Sequence, residues 1–260
     1  MKIGARLILL VTCTVLTFST TQAGTHAKTA LETSSEIIVV TTADWDAVGG
    51  TLQRFQRAHA GAKWAPVGTP VQVVVGKTGL GWGVGVLSDD EFRESSDPVK
   101  KEGDGKAPAG VFSLGETFGY AAQARQGTRL PYQPLTTSIE CVDDTSSKFY
   151  NRVVDRGTVA PDWNSSEHVL RSDELYHWGV VVDHNANPAK AGAGSCIFMH
   201  IWRGPGQGTV GCTAMSQEAI ESLLEWLDPA RKPLLVQMPK QQYRRVQKKW
   251  KLPALAGSLH

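Results

Sequence analysis

The stretch Ser195-Cys196-Ile197-Phe198-Met199-His200-Ile201-Trp202, continued through Gly204-Pro205-Gly206-Gln207-Gly208-Thr209 to Gly211-Cys212-Thr213-Ala214-Met215-Ser216, carries the clearest structural signal in this 260-residue chain. Cys196 to Met199 is a short apolar run of the kind a buried strand makes, and it delivers His200 at its end. The loop behind it is too rich in glycine and proline to continue a regular element. Ser216 then stands where it can cap a helix. In that helix Ile220, Leu223, Leu224 and Leu227 follow the i, i+3, i+4, i+7 pattern, with Glu218 near the positive end and Pro229 closing it. Leu234 to Met238 is one more strand.

Working back toward the N-terminus, Trp178 to Asp183 holds an unbroken valine run at Val180, Val181 and Val182, and Tyr150 to Val154 is a further strand candidate. Val71 to Val75 and the β-branched Glu36 to Thr41 are two more. Trp45, Val48, Leu52 and Phe55 recur at helical spacing and predict a helix of about four turns between Asp44 and Gly61. Gly76, Gly79, Gly81, Gly83 and Gly85 superficially resemble a phosphate loop. They lack the Gly-Lys-Ser/Thr ending and a following helix pattern, so backbone turns are the reading. Short strands between Gly/Pro turns dominate, which makes the fold class β-rich α+β. No repeat is visible.

The chain begins like an export signal. Lys2 and Arg6 form a charged leader, Leu7 to Phe18 is largely apolar, and Thr21-Gln22-Ala23 offers a small-residue cleavage site, so residues 1–23 are expected to be a signal peptide. About twelve apolar residues are too few to span a bilayer core, no other segment reaches that length, and Cys13 is misplaced for a lipoprotein cysteine. Residues 24–35, rich in Thr, Ser and Ala, are expected to be a flexible leader, and 36–239 the folded domain. The signal predicts export across the inner membrane. Lys2 and Arg6 are the basic groups of the first 23 positions, so the 27 basic and 25 acidic residues of the whole chain balance beyond it. Lys240, Arg244, Arg245, Lys248, Lys249 and Lys251 then form a basic tail, residues 240–260, in which Tyr243, Val246 and Trp250 make the apolar stripe of a short helix. An acidic body with a basic tail argues against a nucleic-acid partner. The tail suits either an anionic surface or plain solvation.

Beyond the signal, three cysteines remain. An odd number in an exported chain suggests one disulfide and one thiol kept for chemistry. Cys141 with Cys196 would close a loop of about 56 residues, worth roughly 4 kcal/mol. Cys212 is then left over, as a nucleophile or as a small buried hydrophobe. A nucleophilic thiol needs its thiolate, and both a nearby imidazole and a helix start favour that form. His200 and Cys212, twelve positions apart across a pliable loop, permit an ion pair. Gly211 lets substrate approach and backbone N–H groups point at an oxyanion.

His200 followed by Thr209-Val210-Gly211-Cys212 resembles the His…Ser/Thr-x-Gly-Cys signature of the YkuD-type L,D-transpeptidase catalytic domain. Gly103-Asp104-Gly105-Lys106-Ala107-Pro108-Ala109-Gly110-Val111-Phe112 resembles that family's Gly-x-Gly-x-x-Thr/Ala-Pro-x-Gly-x-Phe approach strand, and the likeness runs from about Val71 to Met238. The resemblance implies one catalytic domain with a β-sandwich-like core and a few peripheral helices, needing no cofactor. It implies acyl transfer on peptidoglycan stem peptides, in which Cys212 attacks an L-centre carbonyl, a thioester forms and D-alanine leaves. His200 acts as base and then acid, oriented by a carbonyl near Ile201, and the Gly211-Cys212 amides line the oxyanion site. Thr209, Trp202, His177 and Thr213 are the expected substrate contacts. Ala214 replaces the family's common Arg or Asn two positions after the nucleophile, and Ile201 its Gly or Ser after the histidine. Gly-Cys-x-Ala-Met resembles the YafK-like branch, whose members include hydrolases.

Tyr176-His177 and Asp183-His184 around the valine strand also invite a zinc reading with His200, but no established ligand spacing supports it. His177 fits a structural hydrogen bond as well as a cleft contact, and Trp202 fits packing as well as a cleft wall. Asn164-Ser165-Ser166 is a formal glycosylation sequon. Three functions follow: an exported cysteine L,D-transpeptidase; a hydrolase of the same fold, acting as carboxypeptidase or releasing a wall-linked lipoprotein; and a silent wall-binding domain.

Overall fold

The computed structural model describes residues 30–87 and 92–255. The expected signal peptide and residues 24–29 lie outside them. The strands are β1 (Glu36–Thr42), β2 (Gly49–Gln56), β3 (Ala65–Val74), β4 (Leu80–Trp82), β5 (Ala107–Gly119), β6 (Tyr132–Pro134), β7 (Ile139–Val142), β8 (Val153–Asp155), β9 (Ser166–His168), β10 (Trp178–Val182), β11 (Phe198–Ile201), β12 (Thr213–Met215) and β13 (Leu234–Pro239). Helices α1 (Gln217–Trp226) and α2 (Lys240–Gln247) flank β13. The chain is therefore mostly β with few helices, in one domain.

The main sheet runs β10-β11-β12-β3-β2-β1-β13-β5, and β5 pairs again with β10, closing the path; β4 and β6 join β5. The expected sandwich-like core is corrected to a barrel-like closed sheet. Closure leaves no free edge along that path, which satisfies the backbone donors and acceptors that an open edge would present. Inside and around it pack Ile37, Ile38, Phe112, Met199, Met215, Leu235 and their neighbours, all almost fully buried. Strand β1 is buried along all seven residues, as a strand covered on both faces must be.

The helix expected between Asp44 and Gly61 is instead β2, and the reason is burial on both faces. Leu52 and Phe55 are three apart, so strand alternation sends them to opposite sides of the sheet, yet both are buried. The spacing imitates a helix because both sides are apolar. Helix α1 matches expectation: the Ser216 hydroxyl accepts from the Ala219 N–H, and Ile220, Leu223 and Leu224 are buried.

Both ends of the described residues are docked on the body. Residues 30–33 are helical and Leu31 is buried. The buried Arg57 guanidinium donates to the carbonyls of Ser34 (2.7 Å), Leu31 (2.6 Å) and Glu32 (2.9 Å). That part of the expected flexible leader is therefore fixed to the body. In the tail, Tyr243 and Val246 join the main core, the Arg245 guanidinium pairs with Glu94, and Lys249 lies over the Phe92 ring.

A second, three-stranded sheet, β8-β7-β9, lies beside the barrel. It is held there by a disulfide between Cys141 of β7 and Cys196, 55 positions later, with Cα atoms 5.9 Å apart.

Candidate active site

Strand β11 is the platform for the imidazole. It begins two residues later than the sequence suggested and includes His200, which pairs with Gly179 of β10 on one side and Ala214 of β12 on the other. Gly179 is required there, because a Cβ would stand 2.3 Å from the Phe118 ring. Phe118 in turn meets Phe198 and Tyr176 edge to face, and Tyr176 meets His200 with ring centroids 4.9 Å apart. Alternation along β11 puts Phe198 and His200 on this side and Met199 and Ile201 in the main core.

Cys212 comes in on the loop ahead of β12. Backbone pairing anchors that loop: Lys77 N donates to Thr209 O at 2.7 Å and Thr209 N donates to Val75 O at 2.9 Å. Gly76 makes the close approach possible, since a Cβ would meet the Gly105 carbonyl at 2.3 Å. The Thr209 hydroxyl then donates to the Cys212 carbonyl at 2.6 Å and accepts from the Gly211 N–H at 3.1 Å. Thr209 therefore builds the turn that presents Cys212. The Gly211 amide, expected at the oxyanion site, is engaged by this hydroxyl.

Cys212 is the one free cysteine among the described residues, and it is buried. The Phe198 N–H donates to its sulfur at 3.3 Å, and the thiol donates to the Cys196 carbonyl at 3.6 Å. His200 Nδ1 donates to the Ile201 carbonyl at 2.7 Å, which leaves Nε2 as the basic nitrogen. The thiol and imidazole line one cavity of about 310 Å³, together with Glu167, Arg171, Leu175, Tyr176, Trp202, Arg203, Thr209, Val210 and Ala214.

The electrostatics correct the expected ion pair. Burial pushes the Cys212 thiol up to about 12, and the Glu167 carboxylate adds to the rise. Burial likewise pulls the His200 imidazole down to about 4, against the opposing pull of the Ile201 and Leu175 backbone. Both groups are neutral in the resting site, because a dry pocket penalises either charge more than the neighbours repay.

Two expected substrate contacts lie elsewhere. Thr213 is buried, and its hydroxyl donates to Gln237 Oε1 at 2.7 Å; Gln237 Nε2 donates to the Pro108 carbonyl at 2.9 Å. Its role is to join β12 to β13 and β5. His177 is outside the cavity lining; its Nδ1 is 2.7 Å from Glu174 Oε2, and its ring packs against Tyr120 and Trp178. Trp202 does line the cavity wall. The zinc reading fares no better, since His184 is buried with Nε2 on the Ala193 carbonyl, and no three His, Cys, Asp or Glu side chains converge among the described residues.

The sequence reading missed Glu167, Arg171 and the role of Tyr176. Glu167 is on β9 of the small sheet. Tyr176 ends a 3-10 turn, Glu174–Tyr176, capped by the Asp173 carboxylate, which accepts from the Leu175 N–H. Arg171 grips that same Asp173 through two hydrogen bonds of 2.9 and 2.8 Å. No short motif spans these residues, and their meeting with Cys212 depends on how the second sheet docks.

The family model for the YkuD L,D-transpeptidase catalytic domain matches residues 63–236. The chain belongs to that family. The match contains both cavity groups, Cys212 and His200, and the whole of β3 through α1. Neither a curated protein nor a solved structure matches the chain. Membership points to L,D-transpeptidase-type chemistry on peptidoglycan.

Proposed function

We propose that the protein is an exported cysteine acyltransferase acting on peptidoglycan stem peptides in the periplasm or at the cell wall. The observation that carries this reading is a single free thiol and a single imidazole lining one cavity inside the family-matched residues. The neutral pair sets the order of events. As the Cys212 sulfur attacks the L-centre carbonyl, its proton passes to His200 Nε2, so that charge appears only while the bond forms. The resulting imidazolium is held by the Ile201 carbonyl on Nδ1 and favoured by the Leu175 backbone. The Cys212 amide faces the developing oxyanion. Collapse expels the D-amino acid, whose amine takes the proton from His200, and the thioester then passes its acyl group to the amine of a second stem.

One observation favours hydrolysis instead. Ala214 puts only a methyl group into the cavity two positions past the nucleophile, giving neither donor nor acceptor strand a polar anchor there. Incubation with tetrapeptide muropeptides separates the readings. Crosslinked dimers establish transfer, tripeptide alone establishes carboxypeptidase action, and release of a wall-linked lipoprotein establishes the amidase form. A folded protein that turns over none of these refutes the enzyme reading.

A further inference from the structure

The half-buried Glu167 carboxylate and the Tyr176 hydroxyl are unused by the mechanism so far, yet both line the cavity with Cys212 and His200. The Tyr176 hydroxyl donates to Glu167 Oε1 at 2.6 Å. Its ring is clamped by Phe118, Phe198 and His200, with the Arg171 guanidinium 5.3 Å from its centroid. Tyr176 and Cys212 also belong to one packed cluster and line the same cavity, so the sulfur is the other acceptor on that side of the ring. One O–H thus has two possible acceptors, a carboxylate and a sulfur, and a ring that cannot swing away from either.

We propose that Tyr176 is a switchable donor, held on Glu167 in the resting site and turned to the Cys212 sulfur as negative charge gathers there. Glu167 is the positioning residue: it holds the donor in place until substrate arrives. The proton stays on the tyrosine oxygen throughout, so only its hydrogen bond is exchanged. This deepens the acyl-transfer reading and rests on Cys212 being the nucleophile.

The surrounding charges agree with this assignment. Glu167 feels Arg171 and Asp143 besides Tyr176, and burial raises its carboxyl above the usual range. Cys212 feels Glu167 and, more weakly, Lys100; His200 feels Arg171 and Asp173. Glu167 is therefore the anion set against a thiolate here, and Tyr176 the neutral donor that offsets it.

The two side chains act on the sulfur in opposite senses, and the test uses that. The rate of Cys212 alkylation by iodoacetamide is followed from pH 6 to 10 in the full chain, with Cys212→Ala as the blank. Tyr176→Phe keeps the ring and loses the donor; its rate at pH 8 falls about tenfold and its pH profile shifts upward. Glu167→Gln keeps the shape and loses the charge; its rate rises about threefold and its profile shifts downward. Opposite shifts support the proposal. Shifts of the same sign, or none in either variant, overturn it. Should Tyr176→Phe fail to fold, Glu167→Gln decides alone, and an unchanged or slower rate overturns the idea. The probe needs no peptidoglycan, so a protein that shows the opposite shifts but turns over no muropeptide sinks the acyl-transfer reading and leaves the donor switch intact.

Discussion

The charge state of Cys212 and His200 before substrate binds is open to direct measurement by replacing the imidazole. Burial pushes the Cys212 thiol up to about 12, well above a free cysteine. That corresponds to about 4 kcal/mol against the thiolate, or about a thousandfold less of it at neutral pH than in a free cysteine. The imidazole, pulled down to about 4, carries no charge at pH 7 and so contributes little to the thiol's acidity. Iodoacetamide should therefore alkylate the native protein at pH 7 about a thousandfold more slowly than the same protein unfolded in guanidinium. His200→Ala should move the alkylation profile by less than about half a unit while abolishing muropeptide turnover, because the lost group serves only once the sulfur attacks. A thiolate–imidazolium pair gives the reverse: rapid alkylation with a midpoint near or below neutrality, and a midpoint raised by several units in His200→Ala. That result would refute the neutral pair and the proton-transfer order built on it.

Three further outcomes are expected. Thr213→Val strands the Gln237 Oε1 acceptor in the core, so denaturant unfolding should show a loss of about 1–3 kcal/mol with kcat/KM unchanged; a KM effect without a stability loss returns Thr213 to the substrate site. Replacing Cys141 and Cys196 together by alanine should cost about 4 kcal/mol by the loop-entropy argument, read as a lower urea midpoint against the oxidised parent. His184 and His200 are both buried with pKa values lowered from 6.5 to about 4, so below pH 6.5 the unfolded chain takes up protons the folded one refuses. Stability should fall as pH drops from about 6.5 to 4, by up to about 3 kcal/mol for each histidine, and a urea midpoint that is flat over that window would contradict the assignment.

The parts legible in the sequence were those written in local pattern. Ser216 and the leucines of α1 announce a capped helix, and the strands at Trp178, Cys196 and Leu234 show as apolar runs with boundaries off by a residue or two. The Cys212 and His200 positions were legible because a fixed spacing around a glycine loop marks them. β2 was misread because burial on both faces erases the two-residue alternation that identifies a strand. Barrel closure was illegible because the β5–β10 pairing joins segments about sixty residues apart, with only short-range cues in either. Thr213 and His177 were given substrate roles, and Gly211 an oxyanion role, from their neighbourhood in sequence. The hydrogen bonds found for them go to Gln237, Glu174 and, through the Gly211 N–H, Thr209, none of which that neighbourhood marked as their partner.

The Cys141–Cys196 bridge holds two parts of this site together. It ties the sheet that carries Glu167 to the residue whose carbonyl accepts the resting Cys212 hydrogen bond, so one covalent link fixes both the carboxylate and that acceptor near the sulfur. Cutting that link would free the small sheet and the Cys196 carbonyl together, so a single bond that is remote from any chemistry sets how firmly the sulfur's surroundings are assembled.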